Sequence, residues 1–363
     1  MDPRADPDAV ASIIAKYGSD QPALPILQGR NSLTNEIHPI FRRSNFRDGF
    51  EGFRYDAIAP ALQLASRFLA LGGLIPFWHA LLYSKDYERG EPNHKGYDTV
   101  YFGRPVLTRQ QHNQTLKRLL ALAECVTFCR HDGEVSGCSF VGITSTLPEK
   151  APMLFIGNKS KIAFPQTTLD LVYYGSRLNY QWWQFDFAVT LIHELAHAAV
   201  NEARLGLFGA NDSIFVGPDA KTDEVGLELE RELFGGRVSF ETQAPATEGA
   251  KPRMMVVLRE WPNSATLAAY TMDESDRIFT REGVEVTGYS KMWKIDKDYI
   301  SSMFFDESWE GENEGDVLYL QRETQYWAAH NHVGERVRDI VQGEGDGPLP
   351  PAGLFTSNAI AVD

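Results

Sequence analysis

The sequence has few cysteines, no uninterrupted apolar run of membrane-spanning length and no excess of positive charge. Its three cysteines, Cys125, Cys129 and Cys138, are an odd number in a chain of 363 residues. That number argues against a disulfide framework and indicates reduced thiols. Lys and Arg total 35 against 49 Asp and Glu, which gives a net charge of -14. Because phosphate backbones are bound by clustered cations, we expect no nucleic-acid partner.

The sequence also lacks the marks of a secretory signal and of a membrane span. Residues 1–7 carry acidic side chains and prolines, where a secretory signal would have basic and then apolar residues. Residues 61–83 are largely apolar but contain Gln63, Arg67 and two adjacent glycines at 72–73. We therefore expect buried helices that break near the glycines, no membrane partner and a cytoplasmic location.

One pentapeptide, His193-Glu194-Leu195-Ala196-His197, carries the strongest chemical signal in the sequence. Residues four apart on an α-helix point the same way, so His193 and His197 can offer two imidazole nitrogens to one ion. Glu194 is then close enough to take a proton from a metal-bound water. The flanking residues are apolar nearly all round, which is typical of a buried helix. We predict a zinc site, with paired core histidines as the alternative.

A catalytic zinc ion usually has three protein ligands, so the two histidines need a partner. In metzincins the partner is a histidine six residues after the second histidine, and here that position is Ala203. Glu224 is the best candidate because it begins the next predicted helix, where a carboxylate also favours the helix dipole. Gly226 predicts close packing there, since a glycine otherwise weakens a helix. The alternatives are Glu228, Asp219, Asp223 and Glu230.

Other polar residues would support or rival this site. Glu228 or Glu230 would orient His193 or His197 through a hydrogen bond to the ring. A hydrolytic site also needs a donor to the developing oxyanion, for which the candidates are Tyr289, Tyr299, His330 and His332. Separate metal sites are conceivable at His330-x-His332 and at Cys125, Cys129, His131 and Cys138, although solvated histidines and small core cysteines are the simpler interpretations.

The pentapeptide followed by Glu224 resembles the gluzincin metallopeptidases, zincins whose third ligand is a glutamate on the following helix. A group of fungal HExxH proteins is also similar, over roughly residues 186–240 and more weakly 290–310. That similarity includes HELAH, Glu224-Val225-Gly226 with Glu230, Leu233-Phe234-Gly235-Gly236 and Tyr299 to Trp309. The resemblance implies a mixed β-sheet whose edge strand lines the substrate cleft, then the HExxH helix, then the glutamate helix. It also favours Tyr289 as the oxyanion donor, because gluzincin tyrosines can follow far downstream of the third ligand.

The hydrophobic pattern predicts an α+β, zincin-like chain with helical N- and C-terminal parts. The expected helices are residues 8–17, 56–70, 74–83, 108–128, 180–203, 224–234, 298–305 and 323–341. The expected strands are residues 99–102, 138–145, 152–156, 161–164, 169–173 and 254–258. We divide the chain into a helical part at 1–135, a catalytic core at 136–241, and a mainly helical part at 242–363 that completes the cleft.

Together these features predict a zinc-dependent, metallopeptidase-like hydrolase acting on a peptide or small amide-containing substrate. Glu194 would assist the attack of a zinc-bound water on an amide carbonyl and then protonate the leaving nitrogen. Two alternatives stay open: a zincin-fold enzyme acting on a small metabolite in a biosynthetic pathway, and a non-catalytic zincin-like binding scaffold. The sequence carries no signal for the oligomeric state.

Overall fold

The computed structural model describes residues 32–83, 89–90, 99–100, 106–131, 143–151, 158–174, 180–203, 215–216, 225–243, 253–260, 278–279, 285–286, 288–309, 322–330 and 341–343. The α-helices are α1 (Phe53–Ala57), α2 (Ala59–Ala70), α3 (Ile75–Leu82), α4 (Arg109–Ala121), α5 (Gln166–Tyr174), α6 (Tyr180–Ala203), α7 (Val225–Phe234) and α8 (Lys297–Ser302). The strands are β1 (Arg89–Gly90), β2 (Thr99–Val100), β3 (Val126–Arg130), β4 (Ile143–Lys150), β5 (Asn158–Phe164), β6 (Phe215–Val216), β7 (Arg237–Gln243), β8 (Arg253–Arg259), β9 (Ile278–Phe279), β10 (Glu285–Val286), β11 (Gly288–Ile295), β12 (Arg322–His330) and β13 (Val341–Gly343). The predicted mixture of helices and strands is confirmed.

Two of the sheets contain strands that pack against helix α6. The first is mixed, with the order β3-β5-β4: β3 runs parallel to β5, and β4 runs antiparallel to it. The second has the order β13-β12-β11-β8-β7, and its described pairings are antiparallel. Among the described strands, β4 therefore lies at an edge of the first sheet, and β7 lies at an edge of the second.

Helix α6 is the centre of the hydrophobic core. Its bounds are those predicted from the sequence, and most of its side chains are buried, as expected for a helix that is apolar nearly all round. It packs against the helices α2, α3, α5, α7 and α8 and the strands β4, β5 and β7. The core around it includes side chains from all three parts into which the sequence was divided.

The segment from α8 to Trp309 is attached to the N-terminal half of the chain. The Ser32 backbone N–H donates to the Phe304 carbonyl oxygen at 2.9 Å. Arg67 forms an ion pair with Asp306, with Nη2 and Oδ1 2.6 Å apart. These contacts hold the segment against α2, so α6 is enclosed by residues far apart in sequence.

Helix α7 ends at a glycine whose backbone few other residues could adopt. Gly235 has a φ of 79°, in the left-handed region, and its N–H donates to the Arg231 carbonyl oxygen at 2.8 Å. The chain then reverses directly into β7. This turn places the start of β7 beside α7, an arrangement that the candidate site uses.

Several sequence predictions are wrong, most of them where pairing between strands overrides the local pattern. The helix predicted at 108–128 ends at Ala121, and Val126–Arg130 forms β3 instead, paired with β5. Residues 169–173, predicted as a strand, lie in α5, since short apolar runs do not distinguish the two structures. At the ends of the helix predicted at 323–341 the structure has β12 and β13, and residues 331–340 lie outside the described residues. The described residues after 242 are mainly strands rather than helices. Strand β7 also crosses the predicted boundary at 241/242.

The apolar stretch at 61–83 forms two buried helices with a break at the glycines, as predicted. Helix α2 ends at Ala70, and a short 3-10 turn, Gly72–Leu74, leads into α3. Among the described residues, no single helix is long and apolar enough to cross a membrane. The pair made by 59–70 and 72–82 reaches that length and composition only together, with a bend of 62° between its halves.

Candidate metal centre

The two histidines of α6 lie side by side. Their ring centroids are 5.3 Å apart, and the ring planes are inclined by 46°. His193 is buried, with 7% of its surface exposed, and His197 is partly buried. The one-turn spacing has therefore placed two imidazoles on the same side of a buried helix, as the sequence predicts.

Glu230 of α7 holds His193. Its Oε1 lies 2.8 Å from Nδ1 of His193, and its Oε2 accepts a hydrogen bond from the Val238 backbone N–H, also at 2.8 Å. A carboxylate at Nδ1 favours the tautomer that carries its proton there, which leaves Nε2 as the nitrogen that would bind a metal. Of the two glutamates considered for this role, Glu230 is the one that orients His193.

Glu228 has a different partner. Its carboxylate is buried and lies 2.7 Å from Nη2 of Arg231 on the same helix. The described contacts thus give Glu228 and Glu230 different roles. Glu230 reaches across to α6, whereas Glu228 pairs with a cation one turn away on its own helix.

Gly226 packs directly on the ring of His193. A Cβ atom added at Gly226 would lie 2.3, 2.4 and 2.5 Å from Cδ2, Nε2 and Cγ of that ring. An atom in the ring plane could not be almost equally far from these three atoms, so this position lies over the face of the ring. The first turn of α7 therefore covers the face of His193 without blocking the in-plane direction of Nε2, and the close packing predicted for Gly226 is confirmed.

Glu194 is bound by a threonine that sequence reasoning did not find. Thr144 Oγ1 lies 2.7 Å from Oε2 of Glu194 and 3.0 Å from its backbone carbonyl oxygen. Glu194 itself is only 3% exposed. The edge strand β4 thus supplies the hydroxyl that contacts the predicted base. No motif around Thr144 could have indicated this, because the contact depends on how the sheet packs against α6.

The remaining predicted residues are not brought to the histidines by the described contacts. Glu224, Asp219, Asp223, His332 and Cys138 lie outside the described residues. Tyr289 lies in β11, and β8 lies between β11 and the edge strand β7. The side chain of Tyr289 is not among the described ones. The Tyr299 hydroxyl is buried without a hydrogen-bond partner among the described residues, and burial raises its pKa to about 12.

The described part of the chain, which does not include Glu224, holds no group of three or more His, Cys, Asp or Glu side chains arranged for a metal ion. Cys125, Cys129 and His131 are among the described residues and form no such group, whereas Cys138 lies outside them. Cys125 and Cys129 are both buried and are not joined in a disulfide. Within the described residues, the candidate centre therefore consists of the imidazole rings of His193 and His197. The contact with Glu230 sets the tautomer of His193.

A further buried carboxylate on α6, Glu202, was also missed by sequence reasoning. It is fully buried, and burial raises its pKa to about 9. The Cys125 thiol and Ser160 interact with it, but neither forms a hydrogen bond of normal geometry with its oxygens. The available signal was an acidic residue near the C-terminal end of a largely apolar helix. Glu202 is thus a neutral, protonated acid at pH 7.

Comparison with known proteins gives no family for the chain: no family model, curated protein or solved structure matches it.

Proposed function

We propose that this chain is a zinc-dependent, metallopeptidase-like hydrolase with a zincin-like fold. The observation that carries the proposal is the contact between Glu230 and Nδ1 of His193, at 2.8 Å. Histidines that bind zinc almost always donate their other ring nitrogen to a carboxylate or carbonyl, which fixes the tautomer. A buried histidine needs a polar partner in any case, but here a second histidine and a held glutamate lie within one helical turn of it.

The proposed ligands are His193, His197 and Glu224. Glu224 precedes Gly226 by two residues, and Gly226 lies on the face of the His193 ring. Glu224 itself lies outside the described residues and is proposed as a ligand from the sequence. These three side chains would supply two nitrogens and one oxygen to a tetrahedral zinc site, with a fourth position for water or substrate.

Zinc bound there would supply a water of lowered pKa and polarise a carbonyl group. The chain's own contribution to the reaction is then Glu194, which accepts a proton from the attacking water and returns it to the leaving nitrogen. Thr144 binds Oε2 of Glu194, and Glu230 keeps His193 in one orientation. Tyr289 stays the proposed donor to the developing oxyanion.

The sheet supports a peptide as substrate. Among the described strands, β4 lies at the antiparallel edge of a mixed sheet, and it contacts Glu194 through Thr144. An extended peptide can add to such an edge by main-chain hydrogen bonds, which would bring its carbonyl groups past Glu194. This is the arrangement expected from the resemblance to gluzincins.

A second candidate is hydrolysis of a small amide-containing metabolite. It is favoured by the burial of the site, since Glu194 and His193 are only 3% and 7% exposed. An enclosed site of this kind suits a compact substrate better than a long chain. Both candidates use the same residues and differ in the substrate.

The decisive experiment is metal analysis of the purified protein together with activity of matched variants. We expect bound zinc in the wild type and its loss in His193→Ala and Glu224→Ala. Glu194→Gln should retain zinc and lose activity on the cleaved substrate by about 10²- to 10⁴-fold, because it removes the general base. Cleavage of a peptide library distinguishes the two substrates. A wild-type protein without zinc would refute the proposal.

A further inference from the structure

The hydrogen bond between Thr144 and Glu194 joins the edge of the first sheet to the central helix. Thr144 is paired with Ile162 of β5, so its backbone is held in the sheet. Strand β4 packs against α6, which carries Glu194. The hydroxyl is thus presented from one rigid element to a carboxylate on another, which is the construction that fixes a side chain most closely.

The Thr144 hydroxyl has one proton for two nearby acceptors. It lies 2.7 Å from Oε2 of Glu194 and 3.0 Å from the Glu194 carbonyl oxygen. The shorter contact is the one expected for donation to a carboxylate, because charge-assisted O–H···O⁻ bonds are the shorter and stronger kind. The carbonyl oxygen is then the weaker, second acceptor. Within the described part of the chain, Oε1 of Glu194 accepts no hydrogen bond.

We propose that Thr144 is a positioning residue that holds Oε2 of Glu194, so that Oε1 is the oxygen that exchanges protons during the reaction. This inference rests on the proposed function. A glutamate side chain has several rotatable bonds, and an unheld carboxylate would present either oxygen in several orientations. The Thr144 contact removes that freedom before any ligand binds, which is the meaning of preorganisation at a catalytic base.

Three substitutions separate this role from a general effect on packing. Thr144→Val keeps the side-chain shape and removes the hydroxyl, whereas Thr144→Ser keeps the hydroxyl. Ser145→Ala is the matched control on the same strand, since Ser145 is exposed and its hydroxyl contacts the Lys161 carbonyl oxygen at 3.4 Å. The inference requires that only Thr144→Val alters the behaviour of Glu194.

The first readout is ligand binding to the zinc-loaded proteins. Acetohydroxamic acid is a suitable probe because it chelates zinc and must give its N–OH proton to a nearby base. We expect Thr144→Val to weaken its binding by about tenfold or more, the effect of losing one hydrogen bond to a charged group. Zinc affinity, measured by chelator competition, should stay unchanged. Thr144→Ser and Ser145→Ala should bind the probe as the wild type does, and equal affinity in Thr144→Val would overturn the inference.

The second readout needs no metal. In crystal structures of the metal-free proteins, Glu194 should keep one side-chain conformation in the wild type and Thr144→Ser, and leave it in Thr144→Val. An unchanged Glu194 in Thr144→Val would refute the positioning role. Absence of zinc from the wild type would instead refute the proposed function, and these structures would still decide what Thr144 does.

Discussion

Two turns of helix α6 each bury a glutamate, and the surroundings of the two carboxylates differ in kind. Glu194 receives a hydrogen bond from Thr144 and lies between two histidines in sequence. Glu202, two turns later, is fully buried beside the Cys125 thiol and Ser160, and burial raises its pKa to about 9. Burial alone therefore does not make a catalytic base. The groups that neighbouring elements place beside a buried carboxylate differ between the two turns: a threonine hydroxyl beside Glu194, and a thiol and a serine beside Glu202.

The largest effect is expected from Gly226→Ala, which disturbs only the turn of α6 that carries His193 and Glu194. The added methyl group would overlap the His193 ring, with contacts as short as 2.3 Å, so the ring must move. We expect zinc affinity to fall by about 100-fold or more and stability to fall by about 1–3 kcal/mol. Chelator competition and denaturant unfolding measure the two effects.

The control for this variant is Gly72→Ala. No atom lies within 4 Å of a Cβ added at Gly72, so neither zinc affinity nor the fold should respond. If Gly226→Ala binds zinc as tightly as this control, then the first turn of α7 does not determine the position of His193.

The next largest effect should come from Glu202→Gln, which changes the second of the two turns of α6, the one that carries Glu202. Because the folded-state pKa of Glu202 is raised to about 9 from an ordinary 4.5, the folded protein binds the extra proton between these two pH values. Its stability therefore falls as pH rises through that window. Glutamine does not titrate and so removes this loss. The variant should therefore be more stable than the wild type by a margin that increases with pH and reaches up to about 3 kcal/mol at pH 7.

Denaturant unfolding of the metal-free protein at pH 6, 7 and 8 tests this expectation. The gain should increase with pH and be absent below pH 4.5, where the acid is protonated in both states. Glu149→Gln is the control, since that carboxylate is exposed and pairs with Lys159. A pH-independent gain in Glu202→Gln would mean that Glu202 is ionised in the folded protein.

The smallest effect is expected from Glu230→Gln, which changes the contact that orients His193 on the Glu194 turn. An amide can still accept from Nδ1 of His193, but its NH₂ group then faces the Val238 N–H that Oε2 now accepts from. Zinc affinity should fall by about 10- to 100-fold. Glu228→Gln is the matched control: this residue is buried on the same helix but paired with Arg231. Equal zinc affinities in the two variants would assign the orienting role to neither glutamate.

Much of this site was predictable because its information is local. A one-turn spacing places His193 and His197 on one side of a helix whatever surrounds it. An apolar run of this length predicts a buried helix, and the observed bounds of α6 agree with it. The glycine at position 226 predicted a close contact, and the ring of His193 provides that contact.

Contacts between distant segments were decided only by the tertiary structure. The choice of Glu230 over Glu228 depends on the angle between α6 and α7 and on the turn at Gly235 that brings Val238 back to Glu230. Thr144 reaches Glu194 because β4 pairs with β5 and packs on α6, and no local pattern encodes that pairing. Of the second sheet only the strand at 254–258 was predicted, and the other strands were missed because they are stabilised by neighbours far away in sequence. The sequence thus determined which residues are the candidates for the chemistry, and packing determined which partners contact them.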